Sequence, residues 1–556
     1  MRFCSGCLFL GVSIPAVLCS QSIFTHPRAD DALSSSDAYE LEWPVKRVAV
    51  IGAGVGGLTA YRELKKDGFD VHIFERDYLP GGNWLYTDEV PFDAPIPNAP
   101  IANADFEPSL PPQGVTKFPY IEEHDNRTLC SLQRRAHRAP KPIWNGLVTN
   151  TPAPVSQIRG FPWPDGTPWA IPQAQVNRYL RAFASWNGVN ANDNSPDISY
   201  NTRVELIEKR HDPTSAKQIG WTLITKQLEE IEGGLNRATW DKKDFDAVVI
   251  ASGRFNAPNI PTIQGLEIWG QKFPGKILHS RQYRRPEDYA NKTIVIVGAA
   301  PGGSTERPTT VDWARLVPLN ASIVAEIKRF HPPGETVEAS GIELVDGTIL
   351  RGVDSVIFSS GYIYTYPFLP EYHRPDLGRA GEAPKGALQP IVTDGSHLRS
   401  LHLDTFYIDN PTLGFVNCNQ GLSPFSYPEF QSFALSMVWA GKANLPSKEA
   451  MWALYRRKVE EVGYGKKFTF LGGRATEMIR FFRGWLNAAA DKNGGRQIDG
   501  LLSVSSQVMS LWTRAVYGDP WLVRNVTIPG ATSTLVDLLM NSNDQDLPHV
   551  LFNDDW

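Results

Sequence analysis

The stretch from Val48 to Trp84, VAVIGAGVGGLTAYRELKKDGFDVHIFERDYLPGGNW, constrains the fold more than any other part of the chain. An apolar run breaks into Gly52-Ala-Gly54-Val-Gly56-Gly57, passes through a polar–apolar mixture to Gly68, and resumes as VHIFE. This order predicts strand, tight turn, helix and second strand over residues 45–84. Gly52 permits the turn, Gly54 lets a diphosphate approach the backbone, and Gly57 lets helix and strand touch. Gly68 suits a left-handed helix end. The start of the helix offers unpaired N–H groups and the positive end of its dipole to phosphates. Glu75 closes the second strand, where a carboxylate accepts from a ribose diol and repels a 2′-phosphate, so the first site suits FAD or NAD rather than NADP. A lone GxGxxG is weak evidence. Here strand, loop, helix, strand and acid follow in order, which a glycine turn beside a solvated glutamate does not explain.

The chain has 556 residues, enough for several domains, and its 42% hydrophobic and 21% charged residues are ordinary for a globular protein. A net charge of −5 gives no reason to expect a nucleic-acid partner. Residues 1–20 carry Arg2 as their only charge, then an apolar run and small residues. They read as a secretory signal peptide, with an uncleaved anchor as the alternative. This places the protein in the secretory pathway or outside the cell, or in association with the endoplasmic reticulum. Sequons at Asn126, Asn291, Asn320 and Asn525 are compatible with a glycoprotein. No other run approaches the ~20 apolar residues of a membrane span. Cys4, Cys7 and Cys19 fall in the leading segment, leaving Cys130 and Cys418, whose pairing the sequence leaves open. No metal-ligand cluster is evident.

Eight prolines between Asp88 and Tyr120 predict an irregular insertion over 88–120. Val176, Tyr179, Leu180 and Phe183 give residues 172–186 helical spacing. YNTRVELIEKR and GWTLITKQ alternate like antiparallel strands, while 245–253, 293–297 and 353–361 read as buried strands. Beyond residue 445, KEAMWALYRRKVEEVGYG and ATEMIRFFRGWLNAAADKN suggest helices with no chemistry assigned to them.

Several further motifs bear on one family. Gly81-Gly82-Asn83-Trp84 follows the acidic strand end. FPGKILHSRQY carries Phe273, Gly275, His279 and Tyr283 at the spacing FxGxxxHxxxY. NGLVTNTPAP contains the pair Thr149-Asn150, VIASG ends at Gly253, and IFSSGY precedes the last third of the chain. SYPEFQSFALSMVWAGK holds Gln431. On these motifs the chain resembles the flavin-containing monooxygenases over roughly residues 45–445. The resemblance implies an α/β fold of two Rossmann-like dinucleotide-binding domains, with FAD and NADPH as cofactors and a small molecule and oxygen as reactants. It divides the chain into a leader over 21–44, an FAD domain over 45–265 and an inserted, abbreviated NADP domain over 266–384. A return to the FAD domain over 385–445 and a helical extension over 446–556 complete it. The cofactor-binding residues implied are Gly52, Gly54, Gly57, Glu75, Gly82, Trp84, Thr149, Asn150, Val204, Ser252, Gly298, Ala300, Gly303 and Gln431. Asn150 is the catalytic candidate, as an amide over the flavin, and His279 is structural.

The second glycine loop departs from the family pattern. Ala300 stands at its middle position, Pro308 falls where the phosphate-binding helix runs, and Ser359 follows Gly298 by only 61 positions. No strand with a basic end for a 2′-phosphate is evident; Lys328 and Arg329 sit in EIKRF, which matches a later segment. In the family, NADPH reduces FAD, oxygen adds at the flavin C4a position, and the peroxide passes its terminal oxygen to a soft nitrogen or sulfur. Two other readings stay open: a secreted FAD-dependent oxidase that releases hydrogen peroxide, and a flavin-binding protein without turnover.

Overall fold

The computed structural model describes residues 38–168, 170–298, 322, 324–421, 423–472 and 474–500. The expected signal peptide, most of the leader, Ala300, Gly303, Pro308, Asn320, Asn525 and the end of the C-terminal extension lie outside the described residues. Arg47–Ile51 (β1), Val55–Lys66 (α1) and Asp70–Phe74 (β2) form the strand–helix–strand unit that the glycine pattern predicts, with the two strands parallel. Tyr120–His124 (β3), Arg127–Arg138 (α2), Gln173–Trp186 (α3) and Ile198–Ser199 (β4) follow. Thr202–His211 (β5), Gln218–Ile231 (β6) and Leu235–Phe245 (β7) then lead into Ala247–Ile250 (β8). β5 and β6 pair antiparallel, as the alternation predicts; β7, which the sequence did not reveal, pairs with β6, and β3 joins β7 to complete a four-stranded sheet. β8 pairs parallel with β1. Both strands are buried on two faces, which is why they read as continuous apolar runs. Val48, Val50, Ala247 and Val249 meet the helices. Ala49, Ile51, Val248 and Ile250 meet Val204, Trp221 and Phe245 of the antiparallel sheet.

The chain leaves this layer through Ala257–Pro258 (β9). It then forms Leu266–Lys272 (α4), Ile277–His279 (β10), Ile294–Val297 (β11), Ile327–Phe330 (β12), Ile342–Leu344 (β13), Ile349–Leu350 (β14) and Ser355–Phe358 (β15). It comes back through Tyr362–Ile363 (β16), which pairs with β9. β10, β15 and β11 make a parallel sheet; β12, β13 and β14 make an antiparallel one. Their core gathers Trp269, Ile277, Phe330, Ile342, Val356 and Phe358, with Ala94 from the proline-rich segment. One expectation changes here. β11 is not a buried strand like β8: Ile296 is 65% exposed, because among the described residues β11 pairs on one edge only. Lys328 and Arg329 both bond the Glu343 carboxylate across the β12–β13 pair, so they serve this sheet.

Leu401–His402 (β17), Phe406–Tyr407 (β18) and Leu413–Phe415 (β19) complete the main sheet, in the order β17-β18-β19-β8-β1-β2-β4 among the described residues. Tyr427–Trp439 (α5), Lys448–Val462 (α6), Lys466–Thr469 (α7) and Arg474–Asn493 (α8) follow. The return to the first core begins before residue 385, since Tyr364, Tyr366, Phe368 and Leu369 already share a cluster with Ile51 and Ile250. The C-terminal helices are part of the main core: Met451, Tyr455, Phe482 and Leu486 join the cluster that contains Val48 and Val50. The described end of the leader is fixed as well. Tyr39 N–H donates to the Leu445 carbonyl at 3.0 Å, and the Trp43 indole donates to the Asp246 carbonyl at 2.8 Å. Cys130 and Cys418 are both buried and free, so they form no disulfide with each other.

Candidate active site

β1 and β8 deliver their C-terminal ends to one cavity of about 1940 Å³. Gly52 leaves β1 with φ +104°, and a Cβ there would lie 2.8 Å from the Ala251 carbonyl oxygen beyond β8. A Cβ on Gly57 would lie 1.8 Å from the Gly52 carbonyl oxygen, so only hydrogen lets α1 start this close to the strand. Gly54 faces Gly82, whose backbone occupies the left-handed region at φ +55°. Gly54 caps α1 without a side chain, leaving the first N–H groups of the helix to a ligand. Trp84 adds an aromatic wall, 6.2 Å from the Phe425 ring.

Glu75 sits at the other end of this cradle. Its carboxylate accepts from the Ala53 N–H at 2.6 Å and the Asp77 N–H at 2.9 Å. Burial pushes its pKa up, against the pull of Lys141. Two fixed bonds leave lone pairs directed at the cavity, which suits a ribose diol. Val204 and Ser252 also line the wall. The sequence reading missed Lys141 and Arg203 here. Lys141 pairs with Asp77 at 3.1 Å, and Arg203 grips Glu205 while lying 4.1 Å from the Phe106 ring centre. No motif marked them, because they converge from α2's exit, β5 and the proline-rich segment. A glycine cradle, helix N-terminus and strand-end carboxylate together fit FAD.

The second loop opens in the same way. Gly298 has φ +98°, and a Cβ there would lie 2.7 Å from the Ser359 carbonyl oxygen. Thus β11 and β15 repeat the relation of β1 to β8. Gly298, Ser359 and Gly361 line the same cavity as Gly52. His279 is fully buried and joins this region: its Nε2 meets the Gly361 carbonyl at 2.9 Å, and its Nδ1 accepts from the Arg281 N–H at 3.2 Å. The second contact assigns the proton to Nε2, and burial lowers the pKa to about 4. The expected structural role is what this geometry provides.

Asn150 lines the cavity, but its neighbour Thr149 does not. Thr149 Oγ1 accepts from the Ile171 N–H at 3.1 Å, and its own N–H donates to the Ile171 carbonyl at 2.9 Å. It fixes the loop that presents Asn150. Gln431 is likewise behind the wall. Its Oε1 accepts from the Asn417 N–H at 2.9 Å, and its Nε2 donates to Thr405 Oγ1 at 3.1 Å. Asn417, which does line the cavity, adjoins Gly56 of α1. The far wall comes from the C-terminal helices through Thr476, Ile479, Arg480 and Arg483, a contribution that the sequence reading did not foresee.

Comparison with known proteins places this geometry in context. Residues 120–314 match the family model described as flavin-binding monooxygenase-like, and residues 50–102 match an NAD(P)-binding Rossmann-like domain. The chain is 47% identical to the flavin-containing monooxygenase iboF of Amanita muscaria, over 87% of this chain and 97% of that one. It is 26% identical to a thiol-specific monooxygenase of Saccharomyces cerevisiae, over 71% and 77%. In fold it is similar to an S-allyl-L-cysteine S-oxygenase from Allium sativum, with a TM-score of 0.55 and 21% identity over 85% and 92% of the two chains.

Proposed function

Because the chain belongs to the flavin-containing monooxygenase family, with FAD and NADPH as its cofactors, we propose that it oxygenates a soft sulfur or nitrogen nucleophile in a small molecule. One observation carries this reading: a single cavity is lined by both glycine loops, from Gly52 to Trp84 and at Gly298. Two dinucleotides then meet in one enclosure, whose volume is roughly twice the ~1,000 Å³ upper range of single-ligand pockets. The thiol specificity in the name of the yeast relative supports a sulfur nucleophile.

FAD, reduced by NADPH, supplies the oxygen chemistry, and the protein supplies position and dryness. The start of α1 would hold the FAD diphosphate and Glu75 its adenosine ribose, with Trp84 on the same cavity wall. Asn150 presents a carboxamide to the cavity, where an N–H donor steadies negative charge on a reacting oxygen more strongly than water would. The test is an anaerobic NADPH titration of the yellow protein, followed by turnover with oxygen. Bleaching by NADPH and one oxygen atom in the product are expected. Flavin that substrate reduces but NADPH does not would favour a peroxide-forming oxidase. Asn150→Ala is expected to lower oxygenated product by about 100-fold while NADPH consumption continues as hydrogen peroxide; unchanged coupling would remove Asn150 from the reaction.

A further inference from the structure

Charge on the cavity wall is distributed unevenly. At the adenosine end the cations meet carboxylates: Arg76 with Asp105 at 3.2 Å, Lys141 with Asp77 at 3.1 Å, Arg203 with Glu205 at 2.8 Å. Arg254 differs. It follows β8 in Ala251-Ser252-Gly253-Arg254 and lines the cavity. One guanidinium N–H donates to the Asn419 carbonyl, and the group lies 4.5 Å from the centre of the Phe255 ring. Among the described residues it has no carboxylate partner. Its charged-state neighbours are the Tyr364 and Tyr366 phenols and the Cys418 thiol. Burial raises the pKa of all three, so they stay neutral. Arginine keeps its proton in such surroundings. Arg254 is half-buried on the cavity wall, and a guanidinium held there without an anion is one half of an ion pair.

The wall beyond Arg254 also carries basic residues. Asn419 leads into Gln420, whose N–H and carbonyl bond Thr469 and Leu471, so the Arg254 loop is tied to the C-terminal helices. There Lys466 reaches the cavity, and α8 contributes Thr476, Ile479, Arg480 and Arg483. Steps of three, one and three put these four on one helical face. Among the described residues, the carboxylates that line the cavity are elsewhere: Glu75 and Asp105 at the adenosine end, Glu326 on the inserted unit. The flavin diphosphate has its own donors at the start of α1.

We propose that this wall is an anion subsite for the substrate, with Arg254 receiving the carboxylate of a small molecule whose sulfur or nitrogen is oxygenated. The inference rests on the oxygenation reading and adds the substrate's charge to it. Lys466 raises the local potential that draws an anion in. A carboxylate fits the guanidinium fork in a bidentate pair, which a neutral ester cannot form.

The experiment uses the flavin-loaded enzyme and two thioethers, 3-(methylthio)propanoate and its methyl ester. Calorimetric Kd values and NADPH-dependent sulfoxide formation are measured for wild type, Arg254→Gln and Arg254→Lys. The acid is expected to bind at least about 10-fold tighter than the ester. Arg254→Gln brings the ratio towards one with flavin content retained, and Arg254→Lys keeps part of it. Equal binding of acid and ester, no measurable binding of the acid, or a ratio unchanged in Arg254→Gln overturns the subsite. A loss confined to the Kd for NADP⁺ also overturns it, by assigning the guanidinium to a cofactor phosphate. Tight, Arg254-dependent binding of the acid without sulfoxide supports the subsite and rejects the oxygenation reading, so the two failures are distinct.

Discussion

Gly57 lies in the first turn of α1 and Gly68 just beyond its end, yet a methyl group would meet very different surroundings at each. At Gly57 it would collide with the Gly52 carbonyl, 1.8 Å away. At Gly68 nothing lies within 4 Å, and only the φ of +88° resists a side chain. Gly57→Ala is therefore expected to push α1 off the loop and yield colourless protein, whereas Gly68→Ala keeps its flavin at a cost of about 1 kcal/mol. Flavin absorbance after purification checks both, and a yellow Gly57→Ala protein would refute the packing argument. The glycine tasks were legible in the sequence because spacing alone dictates them. The roles of Thr149 and Gln431 were not, since a motif gives an address and not a side-chain direction. Thr149 turns to the Ile171 backbone and Gln431 to Asn417, and each supports a neighbour that does face the cavity. Arg254 had a readable signal, a cation immediately after a strand end of small residues.

At the scale of elements, β1, α1, β2, α3 and the β5–β6 pair follow from periodicity and turn residues, whereas β7 gave no such signal. The inserted unit was harder to read. Its second loop repeats the first at Gly298, but β11 lacks a described outer neighbour, and that leaves Ile296 exposed. The C-terminal helices were legible as helices and not as a wall, because amphipathic spacing does not say which cavity a face will line. One consequence concerns the segment after α8. Arg496 bonds Glu63 Oε2 at 2.6 Å and Asp67 Oδ2 at 2.7 Å, both on or just beyond α1, and lies 4.8 Å from the Phe433 ring centre on α5. Arg496→Leu leaves two buried carboxylates with fewer partners. A loss of roughly 2 kcal/mol is expected, below the ~3–5 of a fully buried pair because the guanidinium keeps 29% exposure. The midpoint shift in urea measures it, and no shift would show that Arg62, Lys66 and Lys442 suffice.

For the whole molecule, acid is the informative stress. Burial lowers the pKa of His72, His279, His373, His397 and His402 from 6.5 to about 4, and it holds His137 well below the usual imidazole value as well. Between those values the unfolded chain binds more protons than the folded one. Their stabilisation is thus fully present above pH 6.5 and drains as pH falls towards 4. Burial raises Glu75 and Glu429, which act in the opposite sense, but they are two against six. The melting temperature is expected to fall steadily from pH 7 to pH 5, and a flat or rising profile would contradict the burial of these rings. The C-terminal wall has a further consequence. The residues of the glycine cradle occur in the chain from Gly52 onward, whereas the side chains of the far wall come from positions 466–483. In the order of synthesis, then, the cradle exists long before its last partition, and a growing chain carries the glycine loop while that side of the cavity is still unbuilt.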